Sequence, residues 1–207
     1  MGYVMPKISE ARAEARRQQI IDATIRCIAR KGFQATTIPD ICQEAGLSTG
    51  AVYGYFKSKE EILEACAADS EKEDKKVLGA LTDKQNPRGA LDAAIQFYFN
   101  DIFERPNIDG HTRFELHLAA EALSNPQIKS LLAHSRDAIL KYLVGYLEEK
   151  KAAGEVPKDL DLKSVAQVLY AAQVGMEMQM AVHGDVDATA YAQALRALIK
   201  GDLTKVL

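Results

Sequence analysis

Tryptophan is absent from this chain, and prolines number only six in 207 residues. So few helix breakers leave room for long, uninterrupted helices. Runs of alternating Val, Ile and Thr are also scarce, which removes the usual signal for half-buried strands. Cysteine occurs three times, at Cys27, Cys42 and Cys66. An odd number, placed within helical patterns, excludes a fully paired disulfide framework and fits a reduced, cytoplasmic protein. No segment approaches the ~18 consecutive apolar residues of a membrane-spanning helix. The N-terminus lacks the apolar core of a secretory signal. No membrane partner is expected.

Catalytic patterns are missing too. There is no glycine-rich phosphate loop between a strand and a helix, no G-x-S-x-G elbow, no HExxH and no CxxC. The four histidines are scattered over three of the expected helices and leave little for acid–base chemistry. No catalytic residue and no cofactor is nominated, and an enzyme is not expected.

What is present points to helices. Apolar residues make up 47% of the chain, enough for a real core. Ala, Leu, Glu, Lys and Gln, all good helix formers, are plentiful. The net charge of -3 hides an asymmetry: residues 1–59 hold nine Lys/Arg against five Asp/Glu, whereas the remainder carries a net -7. A basic front on an acidic body is the pattern of a protein that meets phosphate with one part only.

Along the chain, residues 9–31 read as a first helix, with Ala15, Ile20, Ala23 and Ile28 on its apolar face and Gly32 ending it. Thr37 begins a second, with Asp40 three residues on as in a capping box and Pro39 in the first turn. Gly46 closes it. Ser48 or Thr49 caps a very short third helix, and Ser58 with Glu61 caps a fourth that runs to about residue 82. Two short helices joined by a tight glycine turn form the helix-turn-helix pattern. Ile38, Ile41, Ala45, Leu47, Val52 and Phe56 are spaced to pack that unit on the first helix. Further helices are expected from Asn86-Pro87 to about Arg105, over His111–Leu123, from Pro126 to Gly154, over Leu162–His183 and over Val186–Leu203, with a break from Pro106 to Gly110. The fold class is all-α, with about nine helices.

Residues 32–63 resemble the DNA-binding segment of the TetR family of bacterial transcriptional repressors. The resemblance rests on Gly32-Phe33, Thr36-Thr37-Ile38, Asp40-Ile41, Ala45-Gly46-Leu47-Ser48, Gly50, Val52-Tyr53, Tyr55-Phe56, Lys57-Ser58-Lys59-Glu60 and Leu63. It covers about a sixth of the chain and runs over about thirty positions without a gap. Two departures are mild: Cys42 stands where the family often has alanine, and position 54, variable in the family, is glycine here. The resemblance implies an N-terminal three-helix DNA-binding domain at 1–60 and a larger ligand-binding and dimerisation domain at 61–207. It implies a homodimer that places its third helices in successive major grooves of a double-stranded palindromic operator, released by a small-molecule inducer. Thr37, Tyr53, Tyr55 and Lys59 become the expected phosphate contacts, with Arg12, Arg16 and Arg17 as possible additions from the N-terminal arm. Ser48, Thr49, Gly50, Ala51 and Gly54 complete the expected DNA-facing set.

Gly50 and Gly54 lie four apart and share one helical face, opposite Val52 and Phe56. An outward glycine face lets the backbone approach DNA closely. The readers left are Thr49, Ala51, Tyr53 and Gln43, so specificity is expected to lean on DNA shape and spacing. The plainer reading is that Gly54 relieves crowding between Tyr53 and Tyr55.

No motif marks the last 130 or so residues. Phe97, Phe114, His117, Tyr170, Gln173, Met176 and Glu177 are the pocket candidates, and a buried carboxylate at Glu177 would favour a cationic or hydrogen-bonding ligand. Aromatic and Met stripes are more often plain core, and Glu177 could equally serve the dimer interface. Small residues at Ala171, Ala172, Gly175 and along Ala188–Ala197 suit close helix packing there. The pairs His111/Glu115 and His117/Glu121 each supply two ligands where a structural zinc wants four, so no metal site is expected. The competing classes are a helical adaptor that binds only protein and a small-molecule-processing protein without DNA binding. Neither gives the basic front a role.

Overall fold

The computed structural model describes residues 10–81, 108–184 and 186–199. Among them are eight helices and no strand: α1 (Glu10–Lys31), α2 (Ile38–Ala45), α3 (Thr49–Tyr53), α4 (Lys59–Leu81), α5 (Ile108–Glu121), α6 (Pro126–Ala152), α7 (Leu162–His183) and α8 (Ala188–Ile199). The helix expected from Asn86 to about Arg105 lies outside the described residues. The expected break at 106–110 is corrected in part, because Ile108, Asp109 and Gly110 are already helical. Packing of α5 on α1 outweighs the cost of about 1 kcal/mol for a helical glycine.

The helix ends follow local chemistry. Thr37 caps α2: its hydroxyl accepts from the Asp40 N–H at 3.4 Å, and Asp40 Oδ2 accepts from the Thr37 N–H at 2.8 Å. Gly46 ends α2 at φ 64°, where a side chain would be strained, and donates to Cys42 and Gln43 carbonyls. Ser48 rather than Thr49 caps α3, accepting from the Ala51 N–H at 3.2 Å. Ser58 accepts from the Glu61 N–H at the start of α4. Asn125, Asp161 and Asp187 do the same for α6, α7 and α8.

One apolar cluster joins α1 through Ile20, Ile21, Ala23 and Ile28 to Ile41 of α2, Val52 of α3, Phe56, and Ile62, Leu63 and Cys66 of α4. The same cluster continues into Phe114 and Leu118 of α5 and Ile128 of α6. Each fully buried Ile or Leu contributes ~1.5–3 kcal/mol through the area it removes from water. Ala15, expected on the apolar face, is exposed. The last residue of α2 meets α1 at Gln19, whose Nε2 donates to the Ala45 carbonyl at 2.6 Å. A second cluster ties α6, α7 and α8 through Leu143, Leu169, Met176 and Ala192.

The front three helices are bound to the rest by more than α4. Gly32 has φ +81°, and the His117 ring of α5 stands 3.3 Å from where a Cβ would be. Gln34 donates to Glu121, and α4 is itself tied to α5 where Ser70 meets His111 Nε2 at 3.1 Å.

Candidate nucleic-acid interface and effector cavity

Five residues make α3, too few to persist as a helix alone. Val52 anchors it, fully buried, and Phe56 follows just beyond its end, also buried. That fixes the opposite face outward. Thr49, Gly50, Tyr53 and Gly54 are exposed, while Ala51 is half-buried. A Cβ at Gly50 would meet nothing within 4 Å, so nothing in the chain itself demands glycine there. At Gly54 a Cβ would meet the Ala51 carbonyl at 3.2 Å.

The four expected phosphate contacts fall into two kinds. Tyr53 is 52% exposed and projects from the end of α3. Tyr55 is half-buried and packs on the core cluster. Thr37 is committed to its cap, with its hydroxyl donating to Asp40 Oδ2. Lys59 Nζ donates to the Phe33 and Thr36 carbonyls at 2.9 and 3.0 Å and sits 4.0 Å above the Phe33 ring. Both side chains therefore hold the α1–α2 connection. Sequence reasoning missed this use of Lys59, and no local pattern could have shown a partner 26 residues away.

Charges lock α2 onto α1. Arg26 Nε and Arg30 Nη2 hold the Glu44 carboxylate at 2.8 and 3.0 Å, and Lys31 holds Asp40 at 2.6 Å. Lys31, with Thr37 helping, keeps the Asp40 carboxyl well below the usual carboxylate range. Arg26 and then Arg30 lower Glu44 in the same way. On α1, Arg16 Nη1 donates to Gln19 and Arg17 lies over the Phe56 ring. All three cysteines are buried, and burial pushes the Cys66 thiol strongly upward, which leaves little reactive thiolate.

In the other half, a cavity of about 160 Å³ lies between α4, α5, α6 and α7. Of the pocket candidates, Phe114, Tyr170 and Glu177 line it, joined by Leu118, Leu132, Ile139 and Val174. Gln173 is buried beside it, with Nε2 donating to Glu177 Oε1 at 3.0 Å. Two candidates lie elsewhere. His117 packs against Gly32, and Met176 is fully buried in the α6–α7–α8 cluster. Phe97 lies outside the described residues. A wider groove of about 440 Å³ runs between α4 and the start of α6, past Phe33, Glu60, Glu64 and His134.

Two family models match this chain. "Bacterial regulatory proteins, tetR family" covers residues 20–66, and "BetI-type transcriptional repressor, C-terminal" covers residues 87–204. The chain belongs to the TetR family of transcriptional regulators. The first TetR match starts and ends on the fully buried Ile20 and Cys66, so it spans the N-terminal core. Among curated relatives, the HTH-type transcriptional regulator UidR of Escherichia coli K12 is 21% identical over 195 residues, 94% of this chain and 96% of that one. Among solved structures, Salmonella enterica GusR superposes with a TM-score of 0.78 at 24% identity, over 96% of this chain and 99% of that one. Bacillus subtilis FadR, solved in complex with stearoyl-CoA, gives 0.74 at 24% identity, over 89% and 98%. At such identities these structures establish the shared TetR fold. No helix among the described residues is long and apolar enough to cross a membrane.

Proposed function

We propose that this chain is a dimeric, ligand-responsive repressor. Residues 1–60 bind a palindromic double-stranded operator, and residues 61–207 bind a small-molecule inducer and pair the two protomers in the cytoplasm. The observation that carries the DNA reading is the outward face of α3. Thr49, Gly50, Tyr53 and Gly54 are exposed together on a helix pinned from behind by Val52 and Phe56. Ser48 holds the helix N-terminus, Ala51 presents a methyl suited to thymine, and Tyr53 supplies a phosphate-directed hydroxyl. Tyr55, Thr37 and Lys59 complete the phosphate-contacting set in this reading, Lys59 with the one ammonium proton that the Phe33 and Thr36 carbonyls leave over.

Pairing of protomers is supported by α7. Val168, Met178 and Val182 are 64%, 55% and 62% exposed, and with Ala171 and Gly175 they form one apolar stripe at three- and four-residue spacing. Such a stripe on a helix is a partner surface. The cavity lined by Phe114, Tyr170 and Glu177, with Gln173 behind it, is the effector site, and no catalytic role is assigned to it. FadR, with stearoyl-CoA bound, is a precedent for effector binding in this fold. An inducer acts by preferring a protomer arrangement that no longer fits two grooves.

Selection of random duplex DNA by the purified protein at near-physiological salt tests this reading. The expected result is a palindrome with half-sites about one helical turn apart. Absence of binding even at low salt would overturn it and favour a protein-binding adaptor.

A further inference from the structure

The basic front of the chain is narrower in the folded protein than in the sequence. Arg26 and Arg30 converge on Glu44, and Lys31 holds Asp40. Arg17 lies 4.0 Å from Glu14 and over the Phe56 ring. Lys59 gives two of its protons to the Phe33 and Thr36 carbonyls. Arg12 and Arg16 belong to the first two turns of α1, and Arg16 donates to Gln19. Lys57 remains, in the connection between α3 and α4. It is exposed, and its ammonium has no hydrogen bond or ion pair among the described residues.

The backbone that carries this ammonium is fixed on both sides. The N–H groups of Gly54, Tyr55 and Phe56 donate back to the Gly50 and Val52 carbonyls at 3.0–3.1 Å, so the chain turns tightly off α3. Phe56 is buried just before Lys57, and Ser58 caps α4 just after it. The Lys57 N–H donates to Glu61 Oε2 at 2.6 Å, which spends the nearest carboxylate on the backbone. Glu60, exposed in the first turn of α4, does not pair with the ammonium either. A cation on a fixed stem costs less to order against a partner than one on a mobile loop. Tyr53, the exposed hydroxyl of the same stretch, lies four residues earlier, a span of at most about 14 Å. A hydroxyl and an ammonium so placed at one edge of α3 can hold phosphates along one strand. The ammonium makes the stronger bond, because its charge assists it.

Resting on the DNA-binding reading above, we infer that Lys57 is the principal cationic phosphate contact beside α3, working with Tyr53, and that Lys59 serves first as a clamp on the α1–α2 connection. The test is the salt dependence of binding by the full chain to the palindrome recovered by selection, read by fluorescence anisotropy between about 50 and 200 mM salt. Each neutralised phosphate adds about 0.9 to the slope of log affinity against log salt. Lys57→Gln, present in both protomers, is expected to make that slope shallower by about 1.8, so that the loss of affinity over this range is about tenfold smaller. Lys57→Arg keeps the charge and is expected to keep the slope. The urea midpoint is expected to stay unchanged in Lys57→Gln and to fall in Lys59→Gln, which loses the two carbonyls and the Phe33 ring. An unchanged slope in Lys57→Gln, or a slope that Lys57→Arg fails to keep, would overturn the inference while leaving the DNA reading intact. No binding by the unmodified chain even at low salt would overturn the DNA reading and this inference with it.

Discussion

Gly50 is the residue where sequence and structure together make the sharpest statement. Its missing side chain leaves open space on the outward face of α3. Gly50→Ala is therefore expected to keep or raise stability, since alanine is the better helix former, while operator affinity falls. Unfolding by urea and operator titration on one preparation separate the two effects; unchanged affinity would end the idea of close backbone approach. Gly54→Gln is the coarser probe, because its Cβ already crowds the Ala51 carbonyl. It is expected to lose or alter operator binding while far-UV circular dichroism stays unchanged. Tyr53→Phe removes one exposed hydroxyl and is expected to weaken binding to all sequences alike, as a phosphate contact should. A shifted sequence preference in a repeated selection would instead make Tyr53 a base reader.

Between elements, the α1–α2 contact is held by charge as well as by Ile41. Asp40 and Glu44 both sit below the ordinary carboxylate range, through Lys31 and Arg26 first and Thr37 and Arg30 second. Their contribution is complete above the unfolded carboxylate value of about 4 and is lost as pH falls below it. The urea midpoint is therefore expected to drop as pH is lowered from 5 toward 3, and Asp40→Asn should show a smaller drop; equal drops would mean that this pair does not set the acid response. Thr37→Ala removes the cap of α2 and is expected to cost ~1 kcal/mol by the same measurement. These ends were legible in the sequence because capping is local: Thr37 and Asp40 lie three apart, and Gly46 suits the left-handed turn. The start of α5 was not legible, since Gly110 and the preceding proline look like a break until the helix packs on α1.

On the scale of the whole molecule, the exposed stripe on α7 is the surface proposed to pair the two protomers. Met178→Glu places a charge in its middle and is expected to convert dimer to monomer in sedimentation and to weaken operator binding with it. A dimer that persists would move the interface elsewhere. Affinity of the assembled protein for its operator should also fall steeply with added salt, because each neutralised phosphate releases counterion.

The helix-turn-helix unit, its caps and the outward position of Gly50 follow from the sequence alone, because they depend on residues within one or two helical turns of each other. The cavity between α4, α5, α6 and α7 does not. Phe114 and Tyr170 are recognisable as candidates, but His117 and Met176 looked no different, and only packing sends one to Gly32 and the other into the α6–α8 core. The same holds for Lys59, whose carbonyl partners 26 and 23 residues away exist only once α1 and α4 have met. Periodicity says which face of a helix is buried; which neighbour it is buried against is decided by the long-range contacts of the folded chain.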